Sequence, residues 1–597
     1  MEIAPKDASK FQRLGVSSAS ALALHAPVSY EDYRWYSEVK PYAQLVDVTV
    51  EAVSRTPRLL KVQAYAHNLS CNIELLFFSP KPYMTRLFHA DERYTLYGKI
   101  DCYAGHAQVS HPKKVTQTGG ITPKYKSPLR TDVMRKLIKE YVTYENLVAE
   151  GLPDTVARTL LEIHFPQQRS GMGLCEAELY ALKFAELYDY MSALRKKRKY
   201  VASSFRCRSE WRAWSQTLPF QLTGAQIETI EAIADDLQSK HAARRMIVGD
   251  VGSGKTMVML AAVMIARPNR SVLMAPTTIL AQQLYEEAQK FLPHLHVKLL
   301  THKSAKNVSL DDADFIIGTH ALLYRELPEA ALIMVDEQHR FGTAQRNVLE
   351  KLVTQGDQHP HFLQFSATPI PRTQAMIDAA HIDVSLMTQT PFKKNIATEV
   401  IYKKDFPALL QHITTELERQ HQVLLVYPLV EQSSMLAYQS IEEARAFWEK
   451  QFENVYVTYG KDKNKEEVLL AFRDKGSILI ATTVVEVGIS LPRLSTVVIV
   501  GAERLGLSTL HQLRGRVSRT GLQGYCYLFT YKSESERLEQ FSRTMNGFDI
   551  AALDLKYRKS GDLLVGRNQS GKAFKWVDIG EDEAIVKAVQ DRLLPKV

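Results

Sequence analysis

The sequence predicts a multidomain α/β protein. Two lobes of alternating strands and helices follow a small β-barrel with helices and precede a short helical-hairpin C-terminal region. Three observations carry that expectation. A glycine-rich run, GDVGSGKT from Gly249 to Thr256, joins an apolar strand to an unbroken helix. Apolar strand-like runs recur in two series, one on each side of a Pro- and Lys-bearing stretch from Met387 to Lys394. Nearer the N-terminus the hydrophobic period changes to two. A chain of 597 residues is too long for one core, so several domains are expected.

Composition narrows the class. With 45% hydrophobic and 24% charged residues, the chain reads as an ordinary soluble globular protein. A net charge of +9 fits a polyanionic partner. Cys71, Cys102, Cys175, Cys207 and Cys526 are far apart and form no CxxC pair. That argues against a zinc site or a disulfide framework and fits a reducing, cytoplasmic setting. Met1 to Lys10 lacks the apolar core of a signal peptide. The apolar run Met257 to Ala266 is too short to span a bilayer.

Leu45 to Val53 reads LVDVTVEAV, with Val46, Val48 and Val50 on one face. Similar runs follow at Leu59 to Ala66, Ile73 to Phe78, Arg93 to Ile100 and Ala107 to His111. Five short strands at this spacing suggest an oligonucleotide-binding barrel. Phe78, Tyr83, Phe88, Tyr97 and Tyr103 are either stacking surfaces for bases or barrel core, with Lys81, Arg86 and Arg93 as candidate phosphate contacts. Thr131 to Tyr144 and Glu176 to Tyr200 read as helices, the second carrying RKKRK (Arg195 to Lys199). Such a run is a solvated face or a phosphate contact.

GDVGSGKT matches the phosphate-loop pattern in its required strand–loop–helix setting. Gly249, Asp250, Val251, Gly252, Ser253 and Gly254 would turn backbone N–H groups around phosphates. Lys255 would reach the β/γ oxygens, and the Thr256 hydroxyl would hold Mg²⁺. Leu332 to Arg340 reads LIMVDEQHR, a buried strand running into two carboxylates. Alone, Asp-Glu could be a solvated turn. With a phosphate loop upstream, Asp336 becomes the Mg²⁺-holding acid and Glu337 the residue that orients the attacking water. Gln226 is a candidate adenine reader, and Phe220 either packs there or belongs to the core. Thr277, Thr319 with His320, and Ser366 with Thr368 each follow a strand and could line one groove. For each hydroxyl, a helix cap is the competing role.

A second alternation of strands begins near Val400. TTVVEVGISLP places Thr482, Thr483 and Gly488 on a strand-to-loop junction, Gly488 as a nucleotide contact. HQLRGRVSR sets Arg516 and Arg519 three apart on one helix face. They are arginine fingers facing the phosphate loop or plain surface arginines. Gln338 and His339 would then sit where the lobes meet and report nucleotide state, a local hydrogen bond being the alternative for His339.

GDVGSGKT, APTTILAQQ, DEQHRFG, SATPIPR, TTVVEVGISLP and HQLRGRVSR together resemble a superfamily 2 helicase motor. DEQHRFG with AERLGLSTLHQLRGR and the tail TMNGFDIAALDL…GDLLVGRNQSG resembles the bacterial RecG family of branched-DNA helicases. RLGVSSASALALHAPVSYEDY resembles that family's N-terminal wedge. The resemblance implies two RecA-like lobes and ATP-driven translocation on duplex DNA. It further implies regression of stalled forks and migration of Holliday junctions, with ATP and Mg²⁺ required. Arg558 and Gln569 match tail positions expected to couple ATP state to DNA movement. Single-stranded-DNA-binding protein is an implied partner, and a monomer is expected. The domains implied are 1–200 (wedge and linker helices), 201–388 and 389–535 (the lobes) and 536–597 (translocation tail). Competing functions are a transcription-repair-coupling type of translocase and an ATP-gated scaffold that does not move. Departures from the family pattern include Ser490 for an Asp, Ser518 for a Gly, Tyr459 for a His, Arg558-Lys559 for Arg-Gly, and no Gly-Arg after Thr390.

Overall fold

The computed structural model describes the chain apart from residues 1–2, 82–86, 104–105, 117, 170–172, 199, 204, 208–210, 303–308, 338–340, 342, 355–358, 369, 393, 429–439, 461, 483–489, 519–520, 533, 566–573 and 594–597, and it leaves the side chains of 103, 343–344, 347 and 558–565 undescribed. The chain forms two compact units. One comprises residues 1–192 with 574–577 and 591–595; the other comprises 193–573 with 578–590.

The first unit contains the expected barrel. Gln44–Arg55 pairs antiparallel with Leu59–Ala66 and with Arg93–Gly98, and Leu59–Ala66 pairs with Cys71–Phe78. Cys71–Phe78 runs parallel to His106–Ser110, which pairs back onto Ile100–Tyr103. Arg93–Gly98 also pairs with the short strand Lys113–Lys114 at the far end of the sheet. Because only Lys99 separates Arg93–Gly98 from Ile100–Tyr103, those two are successive pieces of one bent strand and the sheet curls round into a barrel. At that bend a Cβ on Gly98 would lie 2.4 Å from Val109 Cγ1, so the backbone must be bare there. Val46, Val48 and Val50 all point into the core, as their alternation requires.

Filling this small barrel consumes aromatics that the sequence left open as stacking surfaces. Phe88 is buried against Phe77 and Tyr94, with ring centroids 5.5 and 5.2 Å away. Tyr97 is buried too, whereas Phe78 remains 52% exposed beside His111. Arg93 is ion-paired with Asp47. Tyr83 and Arg86 lie outside the described residues.

Helices Thr131–Tyr141, Tyr144–Ala149, Asp154–His164 and Glu176–Lys196 complete this unit with the N-terminal Pro5–Leu14 and Ala19–Ala23. Residues 574–577 return to the long helix. Its Glu186 carboxylate accepts the backbone N–H groups of Lys575, Trp576 and Val577 at 2.7, 2.8 and 3.0 Å. The Trp576 indole N–H donates to Leu24 O at 3.2 Å.

The second unit holds two wholly parallel sheets. In the first, the strand order is Val297–Leu300, Phe315–Gly318, Ser271–Met274, Leu332–Val335, His361–Ser366, Arg244–Gly249, Asp383–Met387. In the second it is Ile396–Ile401, Gly524–Phe529, Leu494–Val500, Gln422–Val426, Ile478–Ala481, Val455–Thr458. All four residues of Leu332–Val335 are buried, which explains the unbroken apolar run. Val297–Leu300 and Asp383–Met387 were not legible as strands. The second of these corrects the linker boundary, because Met387 closes the sheet beside the phosphate-loop strand. Within RKKRK, Arg198 pairs with Asp383 at 2.6 Å and lies over the Tyr200 ring, a structural use of that charge.

Beyond the second sheet come helices Glu536–Arg543, Gly547–Val565 and Glu583–Leu593. Asp554 on the second of these accepts the Leu507 N–H at 2.9 Å and the Ser508 hydroxyl at 3.2 Å. It thereby caps helix Leu507–Arg514, whose own Gly506 offers no side chain for the purpose. No described helix is long and apolar enough to cross a membrane.

Candidate nucleotide site between two lobes

The phosphate loop takes its shape from two glycines in the left-handed region, Gly252 and Gly254, both at φ 78°. A Cβ on Gly254 would lie 2.2 Å from Gln226 Nε2. That amide donates to Ser253 O at 3.1 Å, while Gln226 Oε1 accepts the Thr223 N–H at 2.8 Å. Gln226 therefore clamps the helix start Gly224–Gln238 to the loop, as well as lining the cavity. Lys255 begins helix Lys255–Ala266, and its Nζ donates to the carbonyls of Gly249 and Asp250 at 2.9 and 3.1 Å. Ser253 Oγ is fully buried without a hydrogen-bond partner, an unused donor inside the loop.

Strand Leu332–Val335 delivers Asp336 and Glu337 to the same edge. Asp336 Oδ1 accepts the Glu337 N–H at 3.0 Å, and Glu337 Oε2 accepts the Ala367 N–H at 3.3 Å. Glu337 has φ 50°, a costly backbone state for a side-chain-bearing residue. Burial, and then the neighbouring Glu337 charge, push the Asp336 carboxyl up to about 7, against the pull of Lys255. So costly a buried carboxylate needs positive charge nearby. A Thr hydroxyl and a carboxylate are hard oxygen donors suited to Mg²⁺, which completes its shell with water and substrate phosphates. Thr256 and Asp336 line one cavity and fit that role.

That cavity has a volume of about 660 Å³. Phe220, Gln226, Lys255 and Thr256 line it from the first lobe, and Arg516 and Ser518 from the second. Arg516 thus lines the same cavity as the phosphate loop and is buried, but it lies past the end of helix Leu507–Arg514 and not on the helix face its spacing suggested. Gly515 lets the lobes touch, since a Cβ there would meet Val251 Cγ1 at 2.8 Å. Ser518 has φ 64°, which gives the physical reason a glycine is usual at that position.

Other expected groups serve locally. Thr277 Oγ1 caps helix Thr278–Phe291 through the Leu280 N–H at 3.2 Å, the competing role for that hydroxyl. Thr319 precedes the short helix His320–Tyr324 without a side-chain cap, and His320 packs on Phe341 with centroids 5.0 Å apart. Ser366 Oγ accepts the Thr368 N–H at 3.2 Å. Thr482 Oγ1 is buried without a hydrogen-bond partner. Gln338, His339, Thr483, Gly488, Arg519 and Gln569 lie outside the described residues, and Arg558 is placed on helix Gly547–Val565 by its backbone alone.

Sequence reasoning overlooked Gln512 and His511, although both stand in the quoted HQLRGRVSR run. Gln512 Nε2 donates to Thr368 Oγ1 at 2.7 Å, joining the two lobes. His511 Nε2 lies 2.5 Å from Asp250 Oδ1. Burial opposes ionisation of Asp250. The His511 hydrogen bond, Lys394 and the Val251 N–H outweigh it and hold the carboxyl below the ordinary range. An i, i+3 argument confined to arginines could not see these partners, because they depend on how the lobes face each other.

A phosphate loop, an acidic strand end and an arginine from a second parallel lobe define an ATP-driven helicase motor. Family models agree: "DEAD/DEAH box helicase" matches residues 223–377 and "Helicase conserved C-terminal domain" matches 405–521. The chain is 42% identical to the ATP-dependent DNA helicase RecG of Helicobacter pylori strain J99, over 97% of this chain and 96% of that protein. It is 32% identical to the RecG of Bacillus subtilis strain 168, over 99% of this chain and 93% of that protein. A solved structure of RecG bound to a three-way DNA junction matches with a TM-score of 0.57 and 25% identity, covering 99% of this chain and 84% of that one. The chain belongs to the RecG family of ATP-dependent DNA helicases.

Proposed function

We propose that this protein uses ATP to pull duplex DNA and remodel branched junctions, regressing stalled forks and migrating Holliday junctions. The observation that carries the reading is the single cavity in which Lys255, Asp336, Glu337 and Arg516 converge from two lobes. The relative solved on a three-way junction supports the branched substrate.

In this reading Lys255 and the loop N–H groups hold the triphosphate. Glu337, fixed by the Ala367 N–H, orients the attacking water, and Arg516 meets the charge that develops on the transferred phosphoryl group. Mg²⁺, held by Thr256 and Asp336, would neutralise the β- and γ-phosphate charge. Gln512 bonded to Thr368 and Gly515 against Val251 make closure of the second lobe sensitive to what fills the loop. Each DNA step costs about 1.4 kcal/mol to separate, but a regressing fork re-forms about as many pairs as it breaks. A duplex-pulling motor with a passive barrel as wedge is therefore sufficient. One chain supplies both lobes and the barrel, so a monomer suffices. Family likeness supports single-stranded-DNA-binding protein as a partner, and five free thiols suit a reducing cell interior.

Lys255→Ala should lower ATP-dependent junction migration by roughly 10²-fold or more. Normal migration by this variant would sink the reading. ATP turnover stimulated by forks above linear duplex or single strands supports remodelling. Stimulation by RNA alone, or none, would favour an RNA motor or a static scaffold.

A further inference from the structure

Asp250 belongs to the phosphate loop, yet its carboxylate is engaged elsewhere in the motor. Oδ1 accepts the Val251 N–H at 2.6 Å and the His511 Nε2–H at 2.5 Å. Oδ2 accepts the N–H of Gly547, first residue of helix Gly547–Val565, at 3.3 Å. Lys394, from the stretch between the lobes, places Nζ 3.9 Å from the same oxygen. His511 continues the path, because its Nδ1 accepts from Arg514 at 3.1 Å. A ring that accepts at Nδ1 and donates at Nε2 is a neutral imidazole in one tautomer. Burial favours that form.

Arg514 ends the path. It is 1% exposed, the largest fully buried side chain among the described residues. No carboxylate meets it in a salt bridge among those residues. Its guanidinium donates to the carbonyls of Phe541 at 3.2 Å and Thr544 at 2.8 Å, and lies 4.3 Å from the Phe541 ring centroid. These carbonyls close helix Glu536–Arg543, three residues before Gly547. The loop therefore grips the C-terminal helices at both ends of their connection: directly at Gly547, and through His511 and Arg514 at Phe541 and Thr544. All of these hydrogen bonds are buried except the part-buried one to Thr544, so water cannot readily take the place of the Asp250–His511–Arg514 path.

We infer that Asp250, His511 and Arg514 are positioning residues that form a relay from the phosphate loop to the C-terminal helices, coupling loop occupancy to their displacement. Lys255 now holds the Asp250 carbonyl. A triphosphate competes for that ammonium, frees the Asp250 peptide, and shifts the carboxylate on which both arms rest. The consequence for DNA movement rests on the translocase reading above; the link from loop to helices does not.

The test uses the full chain and needs two readouts. The first is hydrogen exchange of amides in 536–556, with and without a non-hydrolysable ATP analogue and Mg²⁺. The wild type should change protection on binding. His511→Leu should bind the analogue within about threefold of wild type yet show no such change. The second is ATP consumed per three-way junction converted, which should rise roughly tenfold in His511→Leu. Arg514→Lys keeps the buried charge but not the fork, and carries the same comparison if His511→Leu fails to fold. A wild-type exchange response in these variants, or no response in the wild type, overturns the relay. So does loss of analogue binding in His511→Leu, which would make His511 part of the binding site itself. If the wild type responds to the analogue but converts no junction, the relay stands and the DNA reading falls.

Discussion

At the scale of single residues, two positive φ values mark the nucleotide site, Glu337 at 50° and Ser518 at 64°. Such states cost about 1–2 kcal/mol for residues that carry a Cβ. Ser518 also buries a hydroxyl without a hydrogen-bond partner. Ser518→Gly should therefore stabilise the motor unit by roughly 1 kcal/mol after the added flexibility of glycine is counted, which is read as a higher thermal midpoint. A lower midpoint would show that the hydroxyl is used. In the barrel unit, His164 is wholly buried; Tyr125 Oη and Ala23 O each lie 2.9 Å from a ring nitrogen. Burial pushes its imidazole down to about 4, against the Ala23 carbonyl that favours the proton. The unfolded chain takes up this proton near pH 6.5, the folded chain only near pH 4. Stability is complete above pH 6.5 and falls by up to roughly 3 kcal/mol as pH drops towards 4. Exchange rates of helix Asp154–His164 should rise over that window, and a pH-independent rate after correction for intrinsic chemistry would refute this. The sequence showed Ser518 as a departure but not its φ, and it gave no sign that His164 was buried. Both depend on tertiary surroundings.

At the scale of elements, the strands of the two sheets were legible because parallel strands buried on both faces read as unbroken apolar runs. Leu332–Val335 and Phe315–Gly318 stand where their sequences put them. Asp383–Met387 was not legible. Its DVSLM pattern mixes polar and apolar residues, and all but Met387 are only half-buried at the sheet edge. Helix Leu507–Arg514 shows the other limit. Its N-terminus is capped by Asp554, 47 residues from the N–H it accepts, a distance no local capping rule spans. Asp554→Ala should cost about 1 kcal/mol, typical of a lost cap. The loss should appear as faster exchange of the amides in 507–510 and weaker DNA-stimulated ATP turnover, because the same helix leads into Arg516. Unchanged exchange there would mean that water replaces the carboxylate at no cost.

At the scale of the whole molecule, the order of motifs revealed the two lobes, since each motif sits at a strand end of a recurrent architecture, and the period-two alternation revealed the barrel. The phosphate loop and the Asp-Glu pair, read from motif and spacing, line one cavity. The contacts that make a motor of them, Gln512 to Thr368 and His511 to Asp250, link residues far apart in the chain and were invisible until the lobes faced each other. The return of residues 574–577 to the barrel unit was equally hidden, and it bears on how the protein is made. A ribosome adds roughly 5–20 residues per second, and domains commonly fold as they emerge. Here the N-terminal unit is exposed long before the segment that satisfies Glu186 has been synthesised. Its long helix must wait, with the Glu186 carboxylate and the Leu24 carbonyl unpaired with that segment, while both lobes are translated. Completion of the first unit thus follows synthesis of both lobes, and a nascent chain halted before residue 574 would carry an unfinished barrel unit.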